Sequence, residues 1–230
     1  VVFSSKEDAL RAGLAGEVSA TDRRLTSAGE QVKPGMPLHV KGRVPYVSRG
    51  GIKLAHGLDE FGIEVAGLHC MDVGCSTGGF TDCLLRRGAA SVLSVDVGYA
   101  QHDWSLRQDP RVTLLERTNI LDVPSHPLAR PVELAVCDVS FTSVLTILPG
   151  VCALLKDGGQ FLTLVKPQFE AAREDVGEGG VVQDPLVRRA ALERVARGMQ
   201  ESGFTIEGSC TSPIRGKKGD EEFLLLGTRK

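Results

Sequence analysis

The sequence predicts an α/β domain with a mostly parallel sheet, preceded by a small module of different make-up. Three observations carry this. From about residue 67, short β-branched runs alternate with helical stretches, the pattern of strands joined by crossovers. A glycine-bearing turn, Gly74 to Gly79, lies between the first of these strands and the next helix. The last two strand candidates are joined only by residues 211–221, which hold Pro213, Gly216 and Gly219. That link is too short for a helical crossover, so those two strands are antiparallel.

Taken in order, Ser4-Ser5-Lys6-Glu7 matches a capping box and opens a helix to about Leu14. The Gly- and Pro-punctuated segment Glu17 to Val40 suits short hairpin strands. A segment of about 45 residues buries little core alone, so residues 1–45 are expected to pack on the larger domain or to be the remnant of a larger module. A helix at about Gly50 to Phe61 leads into the main sheet. Its strands are read at Leu68 to Val73, Ser91 to Val97, Val112 to Leu115, Val132 to Cys137, Gln160 to Lys166, Phe204 to Cys210 and Glu222 to Gly227. Helices fall at about 79–87, 101–107, 142–155 and 185–202, the last started by Asp184 as cap and Pro185 at the first helical position. Seven strands with an antiparallel last one is the arrangement of the Rossmann-like class I methyltransferase fold, here assigned to residues 46–230.

The chain's 230 residues suit one large domain with an appendage. A net charge of -2 disfavours a nucleic-acid binder at first sight, but the charge is unevenly spread. Residues 1–57 hold nine basic and five acidic side chains, residues 58–212 hold 13 and 21, and residues 213–230 hold five and three. Between Lys33 and Lys53 there are Lys41, Arg43 and Arg49 and no acid. No apolar run approaches the roughly 20 residues of a membrane helix, and the N-terminus has no signal-peptide pattern. The six cysteines form no C-x-x-C pair and read as buried apolar groups in a reducing cytoplasm. The five histidines have no metal-ligand spacing, so no metal is expected.

The run Asp72-Val73-Gly74-Cys75-Ser76-Thr77-Gly78-Gly79 follows an apolar strand, where open α/β sheets bind nucleotides. Ser76 stands where a dinucleotide fingerprint wants its second glycine. That departure favours S-adenosylmethionine, which has no pyrophosphate, over NAD. Asp96 closes the second strand, where a carboxylate can hold both ribose hydroxyls of an adenosine, and Asn119 follows the third, within reach of an adenine edge. Three further polar residues interrupt apolar strands at the same edge: Asp138, Lys166 and, because its strand runs backwards, Glu222. Lys53, on the helix before the first strand, can reach the same crevice. A lysine placed directly after Phe161-Leu162-Thr163-Leu164-Val165 is costly to desolvate unless paired.

These segments, with Ser48 to Leu54, Val95 to Tyr99, Cys137 to Phe141, Leu164 to Glu170 and Lys217 to Phe223, resemble the TlyA family over nearly the whole chain. The family was named for haemolysins; its members are ribosomal RNA cytidine 2′-O-methyltransferases related to the FtsJ-type RNA enzymes. The resemblance implies a catalytic tetrad of Lys53, Asp138, Lys166 and Glu222. Glu222 is preferred over Glu221 because it adjoins the apolar run Phe223 to Leu226. It also implies a cofactor site of Asp72, Gly74, Ser76, Thr77, Gly78, Gly79, Asp96 and Asn119. A ribose hydroxyl is a poor nucleophile, and Lys166 can take its proton where burial and the Lys53 cation favour the neutral amine. An S4 RNA-binding module precedes the methyltransferase domain in that family. Residues 1 to about 40 match its latter part, so the chain is expected to be an N-terminally shortened form. Ribosomal RNA is the implied partner, with Arg49 and Lys217 as candidate phosphate contacts and Ala171 to Gln183 as a segment able to close over a target. The alternatives are a small-molecule O-methyltransferase, which explains neither the tetrad nor the basic flanks, and a membrane-active haemolysin, for which no convincing amphipathic basic helix exists.

Overall fold

A computed structural model describes residues 6–15, 18–20, 23–24, 38–40, 45–216 and 218–230. The capping residues Ser4 and Ser5, and Lys33, Lys41, Arg43 and Lys217, lie outside them. The chain divides into two compact units, Val1–Pro45 and Tyr46–Lys230. The first holds helix α1 (Lys6–Leu14) and the short strands β1 (Val18–Ala20), β2 (Arg23–Arg24) and β3 (Leu38–Val40), antiparallel in the order β2-β1-β3. Ala12 and Val18 are its buried apolar side chains among the described residues.

The second unit begins with α2 (Gly50–Glu60). Its strands are β4 (His69–Val73), β5 (Ser91–Val95), β6 (Val112–Leu115), β7 (Val132–Cys137), β8 (Leu155–Val165), β9 (Phe204–Thr211) and β10 (Phe223–Arg229). Between them run α3 (Gly79–Arg86), α4 (Trp104–Arg107), α5 (Val144–Leu154), α6 (Pro167–Glu170) and α7 (Pro185–Glu201). The sheet order is β6-β5-β4-β7-β8-β10-β9, with β10 antiparallel to both neighbours. This is the methyltransferase arrangement anticipated from the strand count and the short last connection.

Several boundaries differ from expectation: β10 runs from Phe223 to Arg229 and leaves Glu222 just outside it, α5 starts at Val144, and three further differences have a visible cause. Strand β5 stops at Val95, because Asp96 turns its side chain back on the amides of Ser76 and Gly98. Helix α4 starts at Trp104 rather than near 101, because Asp103 caps it by accepting from Ser105 N. Strand β8 begins at Leu155, reaching five residues earlier than Gln160. The one-turn helix α6 and a 3-10 turn at Ile120–Ser125 were not anticipated, since neither is long enough to show a period.

Alternation along the strands divides the core into two layers, as a sheet covered on both faces requires. One layer joins Met71, Val73, Ala135, Cys137, Phe161, Val165 and Leu225 to α5 and α7. The other joins Cys70, Leu134, Val136, Leu162, Leu164, Leu224 and Leu226 to Leu54 and Leu58 of α2 and to α3. Continuing the period of two past the second layer's strand ends gives Asp138 after Val136, Lys166 after Leu164, and Glu222 before Leu224. The three therefore emerge on the face that α2 covers.

Candidate active site

Helix α2 sets the fourth member of this group. A Cβ at Gly57 would lie 3.1 Å from both Leu162 and Leu224, so glycine lets the helix close down on β8 and β10. Lys53 lies one turn earlier, above the strand ends, and its ammonium pairs with Glu222. In the adjoining register Phe223 pairs with Val165, which puts Glu222 beside Lys166. Lys166 Nζ lies 2.6 Å from Asp138 Oδ1 and donates to Ser140 Oγ at 2.8 Å. Lys53, Lys166 and Glu222 are all buried, while Asp138 is partly exposed. The structure thus joins the four expected residues as two lysine–carboxylate pairs side by side. Burying such charges is tolerated only when each has its partner.

The glycine turn lies at the same edge. Gly74 has φ +80°, and a Cβ there would sit 2.9 Å from the carbonyl oxygen of Asp138, so the turn and the Asp138 strand end approach as closely as a bare backbone allows. Asp72 is fully buried; its Oδ2 accepts from Thr81 Oγ1 at 2.7 Å, whereas Oδ1 has no hydrogen-bond partner. Burial pushes its carboxyl up to about 7, with the nearby Asp138 and Asp96 charges adding to the rise and the Thr81 bond opposing it. Asp96 accepts from the backbone N–H of Ser76 at 2.7 Å through Oδ2 and of Gly98 at 2.7 Å through Oδ1. Each oxygen keeps a second lone pair for a ligand hydroxyl. Ser76 is held at φ +45°, and Thr77 is exposed beside it. Gly78 caps α3 in the left-handed region, and Gly79 opens that helix.

This set fits S-adenosylmethionine on its own chemistry. The unpartnered Asp72 oxygen suits a ligand bringing positive charge, and the half-used Asp96 carboxylate suits vicinal hydroxyls. Asn119 is more committed: its side-chain oxygen caps the following 3-10 turn by accepting from Leu121 N at 3.0 Å, leaving its amide N–H groups to reach a ligand. Arg49 is exposed where α2 begins, one turn before Lys53.

Three supporting residues escaped the sequence reading. Ser140 is one. His102 is another: it is buried, and its Nδ1–H donates to the Ser76 carbonyl at 3.1 Å, because a carbonyl oxygen can only accept. Burial holds its pKa below the usual histidine value, and Nε2 has no hydrogen-bond partner. The third, Glu170, is buried and accepts from Ser143 Oγ at 2.6 Å and Val144 N at 2.7 Å, with Arg194 3.2 Å away. Burial raises its pKa, while Ser143, Val144 and Arg194 oppose the rise. No spacing rule marks these residues, since each acts on a segment 26 or 27 positions distant. Among the described residues no group of three His, Cys, Asp or Glu could hold a metal ion, and no helix is long and apolar enough to cross a membrane. The six cysteines are free thiols.

Residues 46–229 match the family of FtsJ-like methyltransferases. The 16S/23S rRNA (cytidine-2′-O)-methyltransferase TlyA of Mycobacterium tuberculosis is 47% identical over 180 residues, spanning 78% of this chain and 67% of its own. Hemolysin A of Brachyspira hyodysenteriae is 39% identical over 212 residues, spanning 92% of this chain and 88% of its own. A solved structure from Streptococcus thermophilus, carrying a provisional hemolysin name, is 40% identical with a TM-score of 0.80, covering 99% of this chain and 84% of that one.

Proposed function

Because this chain belongs to the FtsJ-like methyltransferase family, whose methyl donor is S-adenosylmethionine, we propose that it methylates a ribose 2′-hydroxyl of ribosomal RNA, at a cytidine as the names of its TlyA relatives state for them. The observation that carries this is the double pair, Lys53–Glu222 and Lys166–Asp138, beside the glycine turn. A ribose hydroxyl is a poor nucleophile, and this array offers it a nearby base and a fixed orientation.

When bound, S-adenosylmethionine supplies an activated methyl group on a sulfonium leaving group. Asp72, the turn from Gly74 to Gly79 and Asp96 would hold it, and Asn119 would face its adenine. Lys166 Nζ takes the 2′-hydroxyl proton as the oxygen attacks. Asp138 stabilises the ammonium that forms, so no net charge is left buried. Lys53, held in place by Glu222, stands where its ammonium can meet the negative charge that develops on the attacking oxygen. Holding hydroxyl and methyl in line contributes a large share of the acceleration.

Residues 1–45 are read as the latter part of an S4-like RNA-binding module, and exposed Arg49 at the start of α2 as a phosphate contact. Arg215 and Lys218 lie in the segment before β10, where Lys218 Nζ donates to the Gly179 carbonyl at 2.7 Å and so ties that segment to Ala171 to Gln183. The test is incubation with ribosomal subunits and labelled S-adenosylmethionine, followed by mapping of ribose methylation. Lys166→Ala is expected to bind cofactor like the wild type and to transfer no methyl group. Turnover near wild type in that variant, or label only in small molecules, overturns the reading.

A further inference from the structure

Lys166 Nζ has two polar neighbours, the Asp138 carboxylate with Oδ1 at 2.6 Å and a hydroxyl from the same loop. Nζ donates to Ser140 Oγ at 2.8 Å. We propose that Ser140 is a positioning residue for methyl transfer, its hydroxyl fixing the rotation of the Lys166 amine about Cε–Nζ so that the remaining valence of the nitrogen points at the incoming ribose hydroxyl. This rests on the reading of Lys166 as the base.

The two contacts do different work. Coulomb attraction to Asp138 holds the nitrogen in place but hardly depends on where its hydrogens point, whereas a hydrogen bond weakens steeply with misalignment. A neutral amine has two N–H groups and one lone pair in staggered positions. With one N–H on Ser140 and the other turned to the Asp138 side, the lone pair has a single direction left. The hydroxyl proton then passes to that lone pair as the oxygen–methyl bond forms and the methyl–sulfur bond breaks. The products are a thioether, a methoxyl group and an ammonium that still has Asp138 and Ser140 as partners. Positive charge moves from sulfur to nitrogen, and nothing else is consumed.

Ser140 is held for this task from both ends. Asp138 N donates to the Val73 carbonyl at 3.0 Å, anchoring the start of its loop to the central strand. The far end is clamped by Glu170, four residues beyond Lys166, through Ser143 Oγ and Val144 N. The segment after β8 and the segment after β7 are therefore locked together twice, at Lys166–Ser140 and at Glu170–Ser143. Between the locks Phe141 adopts φ +64°, a conformation that a bulky residue takes only under constraint.

The experiment compares Ser140→Ala, Ser140→Thr and Lys166→Ala in the full chain, using ribosomal subunits and labelled S-adenosylmethionine. Ser140→Ala is expected to lower kcat about tenfold to a hundredfold, part of the general-base contribution, with KM for RNA and cofactor affinity within about twofold of wild type. Ser140→Thr, which keeps the hydroxyl, restores kcat. Wild-type kcat in Ser140→Ala overturns the proposal, as does a loss appearing equally in cofactor affinity and unfolding temperature, the mark of a merely structural role. Lys166→Ala separates the two levels. If it is inactive while Ser140→Ala behaves as wild type, only the Ser140 role fails; if it remains active, the Lys166 reading fails with it.

Discussion

Removing the Glu222 carboxylate while leaving Lys53 in place tests how the site is held together. In the folded protein the two side chains retain 4% and 10% of their exposure, so Glu222→Leu leaves an ammonium with almost no water and no counter-charge. Breaking a buried pair from one side costs about 3–5 kcal/mol, whereas replacing both partners with apolar groups of similar volume is often neutral or stabilising. The described unit of residues 46–230 falls in the size range where 1 kcal/mol moves the midpoint by about 2–4 °C. Glu222→Leu is therefore expected to lower Tm by about 10 °C, and Lys53→Met with Glu222→Leu to recover most of that loss. Neither variant should transfer methyl groups. Thermal and urea unfolding of wild type, both single variants and the double variant give the coupling directly. A double variant whose loss equals the sum of the two single losses would refute the reasoning, since the pair would then contribute no mutual stabilisation.

Two other outcomes follow from the cofactor turn. Gly74→Ala places a Cβ 2.9 Å from the Asp138 carbonyl at a φ of +80°; it is expected to cost about 1–3 kcal/mol of stability and to weaken cofactor binding at least tenfold, read by unfolding and by calorimetry. Asp72, pushed up to about 7 by burial, is partly protonated in the free protein near neutral pH. A cationic ligand beside it favours the carboxylate, so cofactor binding at pH 7 is expected to release a fraction of a proton, seen as a dependence of binding enthalpy on buffer ionisation that Asp72→Asn abolishes. The same shift sets the sign for folding. The folded state holds a proton that the unfolded chain gives up from about pH 4, so this group's contribution to stability is present at low pH and is lost as pH rises through about 7.

The legible part of the site was the part written into strand ends. Lys166 stood out because a charged residue directly follows an apolar run, and Asp138 and Glu222 because each borders one. Period-two alternation also fixes that these three share a face with Leu134, Leu162 and Leu224. Ser140, Glu170 and His102 gave no such signal. Each lies in a loop or one-turn helix, where no period exists to place a side chain, and each works through a partner more than 25 residues away. The limits of β5, α4 and β8 depart from the sequence pattern for a related reason, as capping by Asp96 and Asp103 and the pairing of β7 with Leu155 end or extend elements irrespective of propensity.

By itself the sequence determined the order of strands and helices, the reversed last strand, the glycine turn and the polar residues that interrupt apolar runs, because hydrophobic period and chain connectivity are local properties. Which lysine meets which carboxylate was decided only in the tertiary structure. Lys53 meets Glu222 across 169 residues because Gly57 lets α2 settle on β8 and β10. Lys166 turns to Asp138 and Ser140 because β7 and β8 lie side by side with the Asp138 loop clamped by Glu170. Pairings of this kind depend on distances between elements far apart in the chain, and packing alone sets those distances.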